Sequence, residues 1–177
     1  MTPGRLLLLL LLATAVGALA VMRLWTMPSL RTATGGLDVF DVLISGYSYD
    51  YVLLYLEVLN EPARALYLGP HRMIDTLFAV ALTGTISVSA YLLATRWSFV
   101  LALALGLTPL FYFAFDMLEN AQVAAILYHR NASTEMAEAA SRFTVSKAQA
   151  LRFAITALLF VVSARAFEAA FGPKENA

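Results

Sequence analysis

The chain has 177 residues, of which 60% are hydrophobic and 14% charged, and a mean hydropathy of +0.74, too apolar for a water-soluble domain of this length. Its formal net charge is zero and it has no long basic run, so neither a nucleic acid nor strong polybasic attraction to anionic lipid is expected. Cysteine is absent, which excludes disulfides, thiolate metal sites, iron–sulfur ligation, cysteine nucleophiles and a quinone-linked dithiol relay.

A helix needs roughly twenty mainly apolar residues to cross a hydrocarbon core. Four segments approach that length, at about 6–22, 73–94, 98–128 and 148–171, so residues 1–177 read as a single integral membrane domain, an all-α membrane protein with four transmembrane helices. In the first segment Arg5, the leucine run and Ala18-Leu19-Ala20 also describe a secretory signal with a cleavage site. Val21 and Met22 prolong the apolar run, which favours an uncleaved span; cleavage would leave three.

Residues of about 36–70 are aromatic and mixed in charge, and predict a short-helix interfacial cap between the first and second spans. Ser48 is placed to cap a helix in which Tyr51, Leu54, Tyr55, Val58 and Leu59 recur at helical spacing. Asn60-Glu61-Pro62 breaks and restarts the chain, and a second short helix through Arg64 and Tyr67 is expected to stop at Gly69-Pro70. The tyrosines are expected at headgroup depth.

Only Thr95-Arg96-Trp97 separates the second and third spans, which predicts a tight antiparallel hairpin. Ala79, Thr83 and Ser87 form a line of small residues on the second span, a sign of close helix packing. After the third span, Ser133 or Thr134 would cap a short surface helix through Ala137 and Ala140, and Ser146 would cap the last span. Asn131-Ala132-Ser133 has the form of a glycosylation sequon, a pattern too common by chance to carry weight.

Depth can be counted from the hairpin, because both helices start there and rise about 1.5 Å per residue. Asp75 lies 21 residues before Arg96 and Asp116 lies 20 after it, so their carboxyl groups should be level. Glu119 and Asn120 follow Asp116 by three and four positions and share its helical face. His71, Arg72, Lys147, Arg152, Arg64 and Tyr67 fall toward the same end. An ionisable side chain at membrane depth costs roughly 2.5–3.5 kcal/mol on insertion scales, so Asp75, Asp116 and Glu119 should face the interior and be partnered, with Arg64, Arg72, Lys147 and Arg152 as candidates.

Three roles fit such a cluster. The expected one is structural or for assembly and interaction: an ion-pair and hydrogen-bond network that fixes helix register and ties down the cap. The alternative is an intramembrane enzyme acting on a lipid or lipid-linked substrate, with Asp75, Asp116 and Glu119 as acid and base or as ligands of a divalent cation, and Asn120, Arg64, Tyr67, Arg72 and Lys147 binding the substrate. A proton-linked carrier is the third, weakened by the lack of a second polar cluster across the membrane. His71 and His129 differ in depth by about 12 Å, which argues against a shared haem, and both are expected to be interfacial or solvent-facing. Membrane lipid, and other membrane proteins, are the expected partners.

Gly46-Tyr47-Ser48, Arg64 with Tyr67-Leu68, Asp75 with Phe78, Asp116 with Glu119-Asn120, and Lys147 together resemble a pattern in a family of small bacterial four-helix membrane proteins. The Asp-x-x-Glu-Asn of the third span is its most specific part. The chain departs from it at Glu61-Pro62-Ala63, where the family carries glycines before the Arg. The resemblance implies a multi-pass protein of the bacterial inner membrane, and no activity or cofactor. The signal-like first segment suggests a cytoplasmic N-terminus with the cap outside, whereas Arg23, Arg31, Arg64, Arg72, Arg130, Arg142 and Lys147 on the cap side would pull the cap inward.

Overall fold

The computed structural model describes residues 3–171, and no strand occurs among the described residues. Four helices are long and apolar enough to cross a membrane: α1 (Pro3–Ala33), α3 (Glu61–Ala94), α4 (Phe99–His129) and α5 (Thr134–Phe171). The short helix α2 (Tyr49–Val58) and a 3₁₀ turn (Phe40–Val42) lie between α1 and α3. Leu10, Phe99, Phe111, Phe153 and Phe160 stand exposed on the outer faces of the long helices, an apolar surface suited to lipid and costly in water.

Local signals account for most boundaries. Ser48 Oγ accepts from the Tyr51 N–H at 3.2 Å and Asn60 Oδ1 from the Ala63 N–H at 2.9 Å, capping α2 and α3. Ser133 Oγ caps α5 through the Met136 N–H, and α1 ends where Gly36, at φ 108°, donates its N–H back to Arg31 O at 2.8 Å. Across the hairpin the Trp97 N–H returns to Ala94 O at 2.9 Å, and the Trp97 indole donates to Glu168 of α5 at 2.5 Å.

Three boundaries differ from expectation, and in each the helix runs on. The first span does not end near residue 22 but continues to Ala33 through a π turn, Met22–Thr26. The second cap helix does not stop at Gly69-Pro70: a π turn over Tyr67–His71 carries it into the span, with Pro70 inside. The physical reason is common to both. Pro28 and Pro70 have no N–H to give the preceding turn, and the helix absorbs the defect by widening, so that Met27 N–H reaches Met22 O and Arg72 N–H reaches Tyr67 O. The helix expected around Ala137 is continuous with the last span, and Ser146 lies inside α5 instead of capping it.

The cap seats on the ends of α4 and α5. Phe40, Tyr55 and Tyr67 are buried there, with the Phe40 ring 4.7 Å from that of Tyr55 and 4.9 Å from that of Tyr47. These rings pack in one apolar core with Val123, Ile126 and Leu127 of α4 and with Ala137 and Ala140 of α5. Along the bundle α1 packs on α3, α3 on α4, and α4 on α5, while α1 and α5 make no comparable contact. A cleft therefore remains between the first and last spans.

Candidate functional site

The cluster is assembled from all four long helices and the 3₁₀ turn. From α4, Asp116, Glu119 and Asn120 project from one face, as their spacing requires, and all are buried. Asn120 Nδ2 donates to Asp75 Oδ2 of α3 at 2.8 Å and to Asp116 Oδ2 at 3.2 Å, which brings the two level carboxyl groups to one amide. Lys147 of α5 extends its ammonium between three acids: Asp116 Oδ1 at 3.2 Å, Glu119 Oε2 in direct contact, and Asp41 Oδ1 at 3.8 Å. Thr144, one turn before Lys147, donates to Glu119 Oε1 at 2.5 Å.

Asp41 enters from the cap, on the 3₁₀ turn. Its Oδ2 accepts from His71 Nε2 at 2.9 Å and from the Tyr67 hydroxyl at 3.4 Å, while Thr26 Oγ1 of α1 sits 2.8 Å from His71 Nδ1. Burial would raise the Asp41 pKa, but the Lys147 charge and the bond from His71 outweigh it and hold the carboxyl near 2. Thr26 and His71 each lie in one of the two π turns, so the widened turns face each other and join α1, α3 and the cap at one point.

Two halves differ in how completely they are paired. Glu119 is closed in by Lys147 and Thr144, and Asp116 by Lys147 and Asn120. Asp75 is 5% exposed, accepts a hydrogen bond only from Asn120, and has no cation within ion-pair distance among the described residues. Asp41 Oδ1 is buried and accepts no hydrogen bond; Lys147 meets it only as a charge.

A cavity of about 280 Å³ in the cleft between α1 and α5 takes in this open half together with Asp116 and Lys147. Asp41, Asp75, Asp116 and Lys147 form its polar end, and Leu19, Phe78, Leu151 and Ile155 an apolar wall. Arg23 of α1 and Arg152 of α5 also line it; both are exposed, and neither forms an ion pair among the described residues.

Asp75, Asp116, Glu119, Asn120 and Lys147 meet directly, and Tyr67 reaches them through Asp41. Arg64 does not join: it pairs with Glu61 at 2.6 Å and donates to Tyr128 O at 3.3 Å, closing the end of α4. Arg72 is exposed and lies on the outer groove that His129 also lines. Of the histidines, His129 is exposed as expected, but His71 is fully buried, because the unbroken α3 carries it inward one turn from Asp75. That i, i+4 relation is present in the sequence, and it holds because the helix runs on through Pro70. Thr144 likewise shares a face with Lys147, whereas no periodicity could place Asp41, which lies outside any long helix.

Among the described residues no three Asp, Glu or His side chains converge as metal ligands. Lys147 occupies the centre where a cation held by Asp116 and Glu119 would sit. No family model, curated protein or solved structure matches the chain.

Proposed function

We propose that the protein is a multi-pass component of the bacterial inner membrane, with α2 and its flanking turns as an interfacial cap, whose lateral cleft takes the polar head of an amphipathic membrane molecule. One observation carries this reading. Asp75, a buried carboxyl with no cation partner among the described residues, lines a cavity that lies in the gap between the first and last spans and has an apolar wall. A buried acid without a counter-charge is expensive, and one that lines a cleft is a candidate ligand contact. The closed half, built on Lys147 and Glu119, supplies the structural role: it locks α4 to α5 and, through Asp41, the cap to the bundle.

Acid–base chemistry on the bound head is the second reading. It is favoured by Asp75 and Asp116 sharing the Asn120 amide, which sets two carboxyls side by side as candidate acid and base. Membership in the bacterial family that the sequence resembles is part of the same proposal, as is contact with other membrane proteins through the lipid-facing helices.

The cleft is tested by retention of lipid through purification in mild detergent, read by native mass spectrometry. One lipid per chain is expected to remain bound, and Leu151→Trp, which fills the cavity, should release it while leaving the melting temperature within a few degrees. Equal lipid retention by the wild type and a stably folded Leu151→Trp would refute the reading.

A further inference from the structure

The polar end of the cleft is short of cations. Four carboxyl groups, those of Asp41, Asp75, Asp116 and Glu119, are buried around one ammonium, Lys147, and one imidazole, His71. The deficit is not spread evenly. Asp116 pairs with Lys147 and Asn120, and Glu119 with Lys147 and Thr144; the deficit falls on two cavity-lining residues, Asp75, whose one donor among the described residues is the Asn120 amide, and Asp41, whose Oδ1 accepts no hydrogen bond among them. A positively charged group that carries N–H bonds completes this end on both counts, since a carboxylate takes hydrogen bonds as well as charge.

The same cavity has the opposite character elsewhere on its lining. Arg23 and Arg152 are exposed cations from the two helices that flank the cleft, and no acid of the described residues pairs with them. Arginine favours phosphate there, because its guanidinium presents paired donors matched to the oxygens. Leu19, Leu151 and Ile155 then offer an apolar face to whatever is attached to the phosphate.

From this order of charges we infer that the cleft selects a zwitterionic phospholipid with a primary ammonium head, its amine on Asp75 and Asp41, its phosphate at Arg23 and Arg152, and its chains along the apolar wall. The inference rests on the cleft being a lipid site. A phosphatidylglycerol-type head would place hydroxyls, and no positive charge, beside the unpartnered acids. A trimethylammonium head would bring the charge without donors. A soluble headgroup would leave the apolar wall unused.

Delipidated full-length protein in detergent is titrated with phosphatidylethanolamine, phosphatidylcholine and phosphatidylglycerol of identical short chains, with bound mass read directly. The ethanolamine lipid should bind about tenfold more tightly than either of the others, the difference made by one charge-assisted contact. Asp75→Asn should remove that preference while lipid still binds, and the double change Arg23→Gln with Arg152→Gln should weaken all three lipids together. Glycerophosphoethanolamine, the head without chains, should fail to displace the bound lipid at equal concentration.

Equal or tighter binding of phosphatidylglycerol by the wild type would overturn the headgroup assignment and leave the cleft reading intact. Displacement by the soluble head would overturn the lipid source. Binding of all three lipids that Leu151→Trp does not disturb would overturn the cleft itself. Should the double arginine variant fail to insert, Arg152→Lys, which keeps the charge and loses the paired donors, reads the phosphate contact alone.

Discussion

Replacing Lys147 by Met separates the two halves of the cluster most sharply. The substitution keeps an unbranched apolar stem of similar reach and removes only the ammonium, which is buried and shared by Asp116, Glu119 and Asp41. Removing one partner of a buried ion pair costs about 3–5 kcal/mol, because the acids left behind have lost their counter-charge and cannot reach water. For a chain of this size each kcal/mol moves the melting temperature by roughly 2–4 °C, so a drop of about 6–20 °C is expected. Asp75→Asn is the contrast: Asp75 has no cation partner among the described residues, and Asn keeps an acceptor for Asn120, so a cost under about 1 kcal/mol is expected. The assay is thermal unfolding in one detergent, followed by fluorescence-detected loss of monodisperse protein. In Lys147→Met/Glu119→Gln the most tightly held acid is also neutralised, and part of the lost stability should return. A Lys147→Met variant melting within 2 °C of wild type, or an Asp75→Asn variant falling as far as Lys147→Met, would refute the division into a structural and a ligand-facing half.

Two further outcomes follow from the cap. The Asp41 carboxyl is held below its unfolded value of 3.8, so its contribution to stability is full above that pH and is lost as pH falls toward 2. The melting difference between wild type and Asp41→Asn should accordingly be constant from pH 7 to 5 and shrink below pH 4; a difference that grows on acidification would show that Asp41 is not held as an anion. Gly46 sits at φ 90°, where a Cβ would also lie 3.0 Å from Ser141 Oγ, the group that receives the Tyr47 N–H. Gly46→Ala should therefore cost about 1–3 kcal/mol and make the cap more open to protease, measured as cleavage between α1 and α3 under native conditions.

Much of the architecture follows from local rules. Hydropathy over twenty-residue windows marks the four helices long and apolar enough to cross a membrane, because continuous apolar length is a local property, whatever the neighbours are. Ser48, Asn60 and Ser133 cap helices as their side chains dictate. The common height of Asp75 and Asp116 could be counted because rise per residue along two helices joined by a tight turn is a one-dimensional quantity. Proline is the exception, because it does not by itself stop a helix. Whether Pro70 ends a helix or sits in a π turn depends on whether packing on both sides holds the widened turn, and here Tyr67 and His71 are both buried.

What the sequence determined by itself is thus the set of membrane-length helices, their caps, and the depth of the acids on α3 and α4, all set by nearest-neighbour geometry. Only the tertiary structure decided that Asp41 and His71 complete the cluster, that Arg64 and Arg72 stand outside it, and that α1 and α5 leave a cleft beside Asp75. Those outcomes depend on how far each helix is rotated about its axis and on which pairs of helices touch. Such quantities are fixed by the simultaneous packing of five helices, and no single segment contains them.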